Sequence, residues 1–149
     1  GKAGQKDIKL DSKNDPDVVR KYFAEISAVY ARHLPLNQQK SDLAILMAAL
    51  ENNDYSKLSE LDPLIRAIER TIADIKTLPT PSDYAATAVR ELNYLMRTKK
   101  MVEIFRNTQN DPLASATIIP ERVNILADMA NFHLEISRDL LAKGIISGS

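Results

Sequence analysis

The 149 residues hold 20 Lys and Arg against 20 Asp and Glu, leaving no formal net charge, and they include no cysteine. A chain of this length can bury about 70% of the surface its unfolded form exposes, enough for one hydrophobic core without cross-links. The charge balance gives no basis for a general affinity for nucleic acid or membranes, and the lack of cysteine excludes a disulfide framework, a thiolate metal site and a cysteine nucleophile.

Residues 1–14 are largely polar and rich in Lys and Asp, which reads as a flexible linker ahead of a domain spanning 15–144, with 145–149 as a short tail. The first residue is Gly1, not methionine. Two origins fit: loss of a tag or initiator methionine from a cytoplasmic protein, or removal of an upstream signal or anchor. In the second case the polar stretch is the tether of an extracytoplasmic domain, the origin toward which the polar composition leans. No apolar run within the chain approaches the ~18 residues of a membrane span.

No glycine occurs between Gly4 and Gly144, and no Asn-Gly pair is present, so β-hairpins would lack their turns. The expected fold is all-α, an antiparallel bundle of four long helices and one shorter helix. The first is expected from about Pro16 to Leu34, with Val19, Tyr22, Phe23, Ile26, Val29 and Tyr30 forming one stripe. The second, about Gln38 to Asn52, places Leu43, Leu46, Met47 and Leu50 together. In the third, about Lys57 to Leu78, Leu58, Leu61, Ile65, Ile68, Ile72 and Ile75 alternate steps of three and four, a seam that wants a partner helix. A fourth is expected from about Pro81 to Asn107. The fifth should run from about Pro112 to Lys143, with Gly144 as the left-handed residue that ends it.

Asp-Pro occurs at Asp15, Asp62 and Asp111, at intervals of 47 and 49 residues. The surrounding sequences do not align, so a duplicated unit does not account for the spacing. Aspartate can accept hydrogen bonds from first-turn amides, and proline at the next position has no amide to leave unpaired, so each pair reads as a helix start. At Asp62 the apolar seam has already begun, which predicts a short helical turn and a kink at Pro63. The stretch Thr80 to Asp83 reads as a capping box for the fourth helix.

Catalytic chemistry finds few footholds. Asp11 to Asp17 lacks the alternating carboxylates and the glycine of a calcium loop. His33 falls at a helix end. His133 falls among Leu126, Met129, Ala130, Ile136 and Leu140, the pattern of a hydrogen-bonded core histidine. There is no Glu-x-x-His motif, nucleophile elbow or glycine-rich phosphate loop. These residues predict no enzyme, no metal and no cofactor.

The fourth helix has two apolar sides. Ala85, Ala88, Val89, Leu92, Leu95 and Met96 make one face, with Lys99 arriving at its centre beside Glu103 and Arg106. Tyr94, Met101, Ile104 and Phe105 lie on the other side. Either the helix is packed on both sides or bends near Lys99, or those four residues form an exposed patch for a protein partner or a second copy. The segment Arg90 to Arg106 is also basic, and Lys40 to Asp62 acidic. Arg90, Arg97 and Lys100 could pair within the molecule or form a strip for an anionic polymer. No aromatic platform accompanies the strip, so nucleic acid is not expected. The function expected is a non-catalytic interaction or structural domain; the alternatives are an anionic-polymer binder and a bundle with a small-molecule or lipid site.

Overall fold

A computed structural model describes residues 1–35 and 41–148. The protein is all-α, with helices α1 (Pro16–His33), α2 (Asp42–Glu51), α3 (Asp62–Thr77), α4 (Ala85–Arg106) and α5 (Pro112–Ala142). Two three-residue strands, β1 (Lys9–Asp11) and β2 (Pro79–Pro81), pair in parallel. Short 3-10 turns cover Gln5–Asp7, Tyr55–Leu61 and Ser82–Tyr84. Of the residues expected to open the second helix, Gln38 to Lys40 lie outside the described residues.

Helix α4 runs through the middle. Its Leu92, Leu95, Val102 and Phe105 share a core with Ile26 and Val29 of α1, Leu46 of α2 and Ile68 and Ile75 of α3. Ion pairs show direction: along α4 and α3, Lys99 meets Glu69 and Arg106 meets Asp62. Along α4 and α5, Arg90 meets Glu135 and Arg97 meets Glu121. Both neighbours therefore run antiparallel to α4. Helix α1 runs with α4, since Phe23 packs on Tyr84 and Tyr30 bonds to Glu91.

The termini depart from the linker and tail expected of them. Ala3 and Ile8 are buried, the Ala3 amide donates to Asn93 Oδ1 at 2.7 Å, and Leu10 pairs with Thr80. Small apolar residues among the lysines, too sparse to form a periodic pattern, dock this segment on α4. At the other end Gly144 has φ +69°. The Gly144 amide donates to the Leu141 carbonyl and the Ile145 amide to the Leu140 carbonyl, a Schellman closure. That closure turns Ile145 into a small core with Leu140, Val19 and Tyr84.

Of the three Asp-Pro starts, Asp111 caps as expected, its carboxylate accepting from the Ala114 amide at 3.1 Å. Asp15 occupies the N-cap position of α1 without a side-chain cap bond. Asp62 follows the 3-10 turn directly as the first residue of α3, and its carboxylate is taken by Arg106 at 2.8 Å. The expected capping box at Thr80 is absent because Leu78 and Thr80 each precede a proline, which drives them to extended backbone, and the segment becomes β2. Helix α4 accordingly starts at Ala85. Asn14 performs the capping from a distance, accepting from the Asp83 amide at 2.9 Å.

Candidate functional site

The four residues that could have formed an exposed patch on α4 do not form one. Phe105 and Met101 are buried, at 0% and 2% exposure, and Tyr94 and Ile104 are half-buried. The cause is the position of α4 between α3 and α5, which covers both of its apolar sides: Tyr94 packs at a tilt against Phe132 of α5, ring centroids 5.2 Å apart. Lys99, half-buried, reaches Glu69.

The basic strip is met from within the molecule. Arg90 pairs with Glu135 at 3.4 Å and lies over the Phe132 ring at 4.5 Å, and Arg97 pairs with Glu121. Lys100 is exposed. The acids that meet Arg90 and Arg97 lie on α5, and the acidic segment Lys40 to Asp62 contributes Asp62 to Arg106.

The inward side of α5 is unusually polar. Ser115 shares a buried hydrogen bond with Thr108, and Arg122 bonds Asp42 of α2 at 2.7 Å, both side chains buried. His133 Nε2 lies 2.8 Å from Glu91, which also accepts from the Tyr30 hydroxyl at 2.6 Å. Asp139 accepts from the Tyr84 hydroxyl at 2.8 Å, and Lys143 completes that group. Burial pushes the Tyr30 phenol far up, so it is a firm donor and no nucleophile. Its bond to Glu91 raises His133 above the ordinary histidine range. The bond from Tyr84 lowers Asp139, and burial raises Tyr84.

These groups engage one another, although Arg122 Nη1 is buried with no partner among the described residues. Glu91 ties α1, α4 and α5 together. A groove of about 280 Å³ runs beside them, lined among others by Asp83, Tyr84, Arg90, Phe132, Glu135, Asp139 and Lys143; Arg90 there pairs with Glu135 and Lys143 with Asp139. Among the described residues no three His, Asp or Glu side chains gather as a metal site. No described helix is long and apolar enough to cross a membrane.

The outward side of α5 is the reverse. Leu113, Ala116, Pro120, Val123, Ala127, Ala130, Leu134, Ser137 and Leu141 follow in alternating steps of three and four, and every one is exposed. Exposure reaches 75% at Leu113, 50% at Val123 and 52% at Leu134, and Leu126 beside the row is also open. The sequence reading placed Leu126 and Ala130 with the inward Met129, Ile136 and Leu140, because α5 has apolar residues around most of its circumference. That spread masks the second row, whose spacing is the one that marks the seam of the third helix. No protein-family model, curated protein or solved structure matches the chain.

Proposed function

We propose that the protein is a non-catalytic interaction domain that engages an amphipathic helix of a protein partner along the outward face of α5. The observation that carries this reading is the exposed row from Leu113 to Leu141, at the spacing of a helix-pairing seam, on a helix whose inward side is fastened to the body. An apolar band running the length of a 31-residue helix, about 46 Å, exceeds the scattered exposure that needs no explanation. Mutual neutralisation of the buried ionisable groups supports a role without catalysis, and the pairing of Arg90 and Arg97 weighs against a polymer-binding strip.

Fluorescence polarisation against a panel of amphipathic helical peptides tests the reading. Peptides with an apolar seam should bind the wild-type chain, and Val123→Asp should weaken that binding roughly 30-fold or more, as loss of a central interface anchor does. Binding that ignores Val123→Asp, or a panel with no binder, counts against it.

A further inference from the structure

We infer that the helix received by the outward face of α5 is the same face of a second copy, laid antiparallel across a two-fold axis. This rests on α5 being a docking face, and it adds the identity of the occupant.

The row is complementary to its own reverse. Turned end for end in the register that sets Ala127 against Ala130 of a second copy, it places Val123 opposite Leu134 and Ala116 opposite Leu141, a smaller residue against a larger one toward each end, with the alanines meeting only in the two layers beside the axis, where the helices come closest. Pro120 then meets Ser137. Antiparallel seams pair the two alternating positions in this way, and the contact is self-complementary, as a two-fold interface requires.

Parallel pairing in register fits worse. It would set Ala116, Ala127 and Ala130 each against itself, leaving gaps, and Pro120 against Pro120. In the antiparallel register the flanking positions are Asn124 with Asn131 and Thr117 with Arg138, so no like charges oppose. The chain's zero net charge removes long-range repulsion between copies.

The area is adequate for a modest dimer. A contact about 40 Å long and one helix wide, with the flanking Leu126 covered, falls near the lower end of specific interfaces, which bury about 800 Å² per partner at standard size. Association in the micromolar range is expected.

The absence of cysteine makes the register directly readable. Full chains carrying Ala116→Cys and Leu141→Cys, both exposed sites, are mixed and oxidised beside each variant alone, while sedimentation follows the wild type across the micromolar range. The expected result is a wild-type dimer, rapid disulfide formation in the mixture and little with Ala116→Cys alone. In the antiparallel pair the two copies of residue 116 lie about 37 Å apart, far beyond the ~7 Å a disulfide spans. Val123→Asp with Leu134→Asp should weaken the dimer roughly 30-fold or more.

A dimer that cross-links through Ala116→Cys alone overturns the antiparallel arrangement. A chain monomeric throughout overturns self-pairing, and Leu134→Ser then separates two cases: an unchanged melting temperature leaves α5 open to a different helix, whereas a sharp fall shows the face covered by its own chain and removes the docking reading as well. Binding to phosphatidylcholine vesicles without self-association overturns the inference in favour of a lipid surface.

Discussion

Helices α3 and α5 carry the same alternation of three- and four-residue steps, apolar throughout in α3 and apolar except at Ser137 in α5, and use it in opposite ways. The seam that enters α3 packs Leu58, Leu61, Ile68 and Ile75 at 2% exposure or less, against the core shared with α1 and α4. The row on α5 faces out, while its inward side is held by Arg122, His133 and Asp139 as well as by Ile125, Phe132 and Leu140. Helix α3 is held by burial, and α5 is held in large part by directed bonds. The lesson is that a seam announces a need for cover without saying which molecule supplies it.

The largest expected effect tests the directed bonds. Asp42→Ala leaves the buried Arg122 guanidinium without its partner and should lower stability by about 3 to 5 kcal/mol. Asp42→Leu combined with Arg122→Met should recover most of that loss in denaturant titrations. Equal losses in the single and double variants would show that α5 does not depend on this pair.

Next comes the contrast itself. Ile68→Ala on α3 should cost about 2 to 5 kcal/mol as a core truncation, and Phe105→Ala a similar amount, whereas Leu134→Ala on α5 should stay within about 0.5 kcal/mol for the monomer. Melting at concentrations low enough to keep the chain monomeric measures all three. A large loss at Leu134 would erase the distinction between the two seams.

Caps give a smaller difference. Asp111→Ala should cost about 1 kcal/mol, since its carboxylate holds the first turn of α5, and Asp15→Ala only a few tenths, because it makes no such bond. Equal effects would point to a denatured-state cause instead.

The smallest effect depends on pH. His133 is raised by its bond to Glu91, so the folded state binds its proton more tightly than the unfolded chain, whose value is about 6.5. That contribution is fully present below the unfolded value and is lost as pH rises through the folded one. Comparing urea midpoints of wild type and His133→Gln at mildly acidic and alkaline pH should show the wild-type advantage shrinking upward. The half-exposed ring keeps the change modest. An advantage that grows with pH would contradict the assignment.

The helical class was legible because no glycine separates Gly4 from Gly144 and because the stripes of α1 and α3 repeat at helical spacing. The site was less so. Tyr94, Met101, Ile104 and Phe105 raised a question whose answer depended on which neighbours flank α4, a matter of long-range packing that local spacing does not contain. Arg122 and Asp42 lie 80 residues apart, and neither stands out in its own segment. The outward row of α5 is present in the sequence but overlaid by the inward one, since Leu126 sits between the two and Ala130, which belongs to the outward row, also falls beside the inward Met129. Asp15, Asp62 and Asp111 share a dipeptide and differ in what their carboxylates bond, because proline fixes the backbone around it while the side chain takes whichever donor the fold brings near.

The docked segment before α1 bears on the order in which the chain assembles. Ala3 meets Asn93 across 90 residues, and β1 reaches β2 over all of α1, α2 and α3. Closing so long a loop carries an entropic cost that a three-residue ladder does not by itself offset. The ladder is therefore expected to form on a platform already built by the local helical contacts and to open before the helices do. Amide exchange should find Thr80, whose neighbours Pro79 and Pro81 have no amide hydrogen, protected less than Leu92 or Val102 although all three are buried, making burial and kinetic protection separable within a single core.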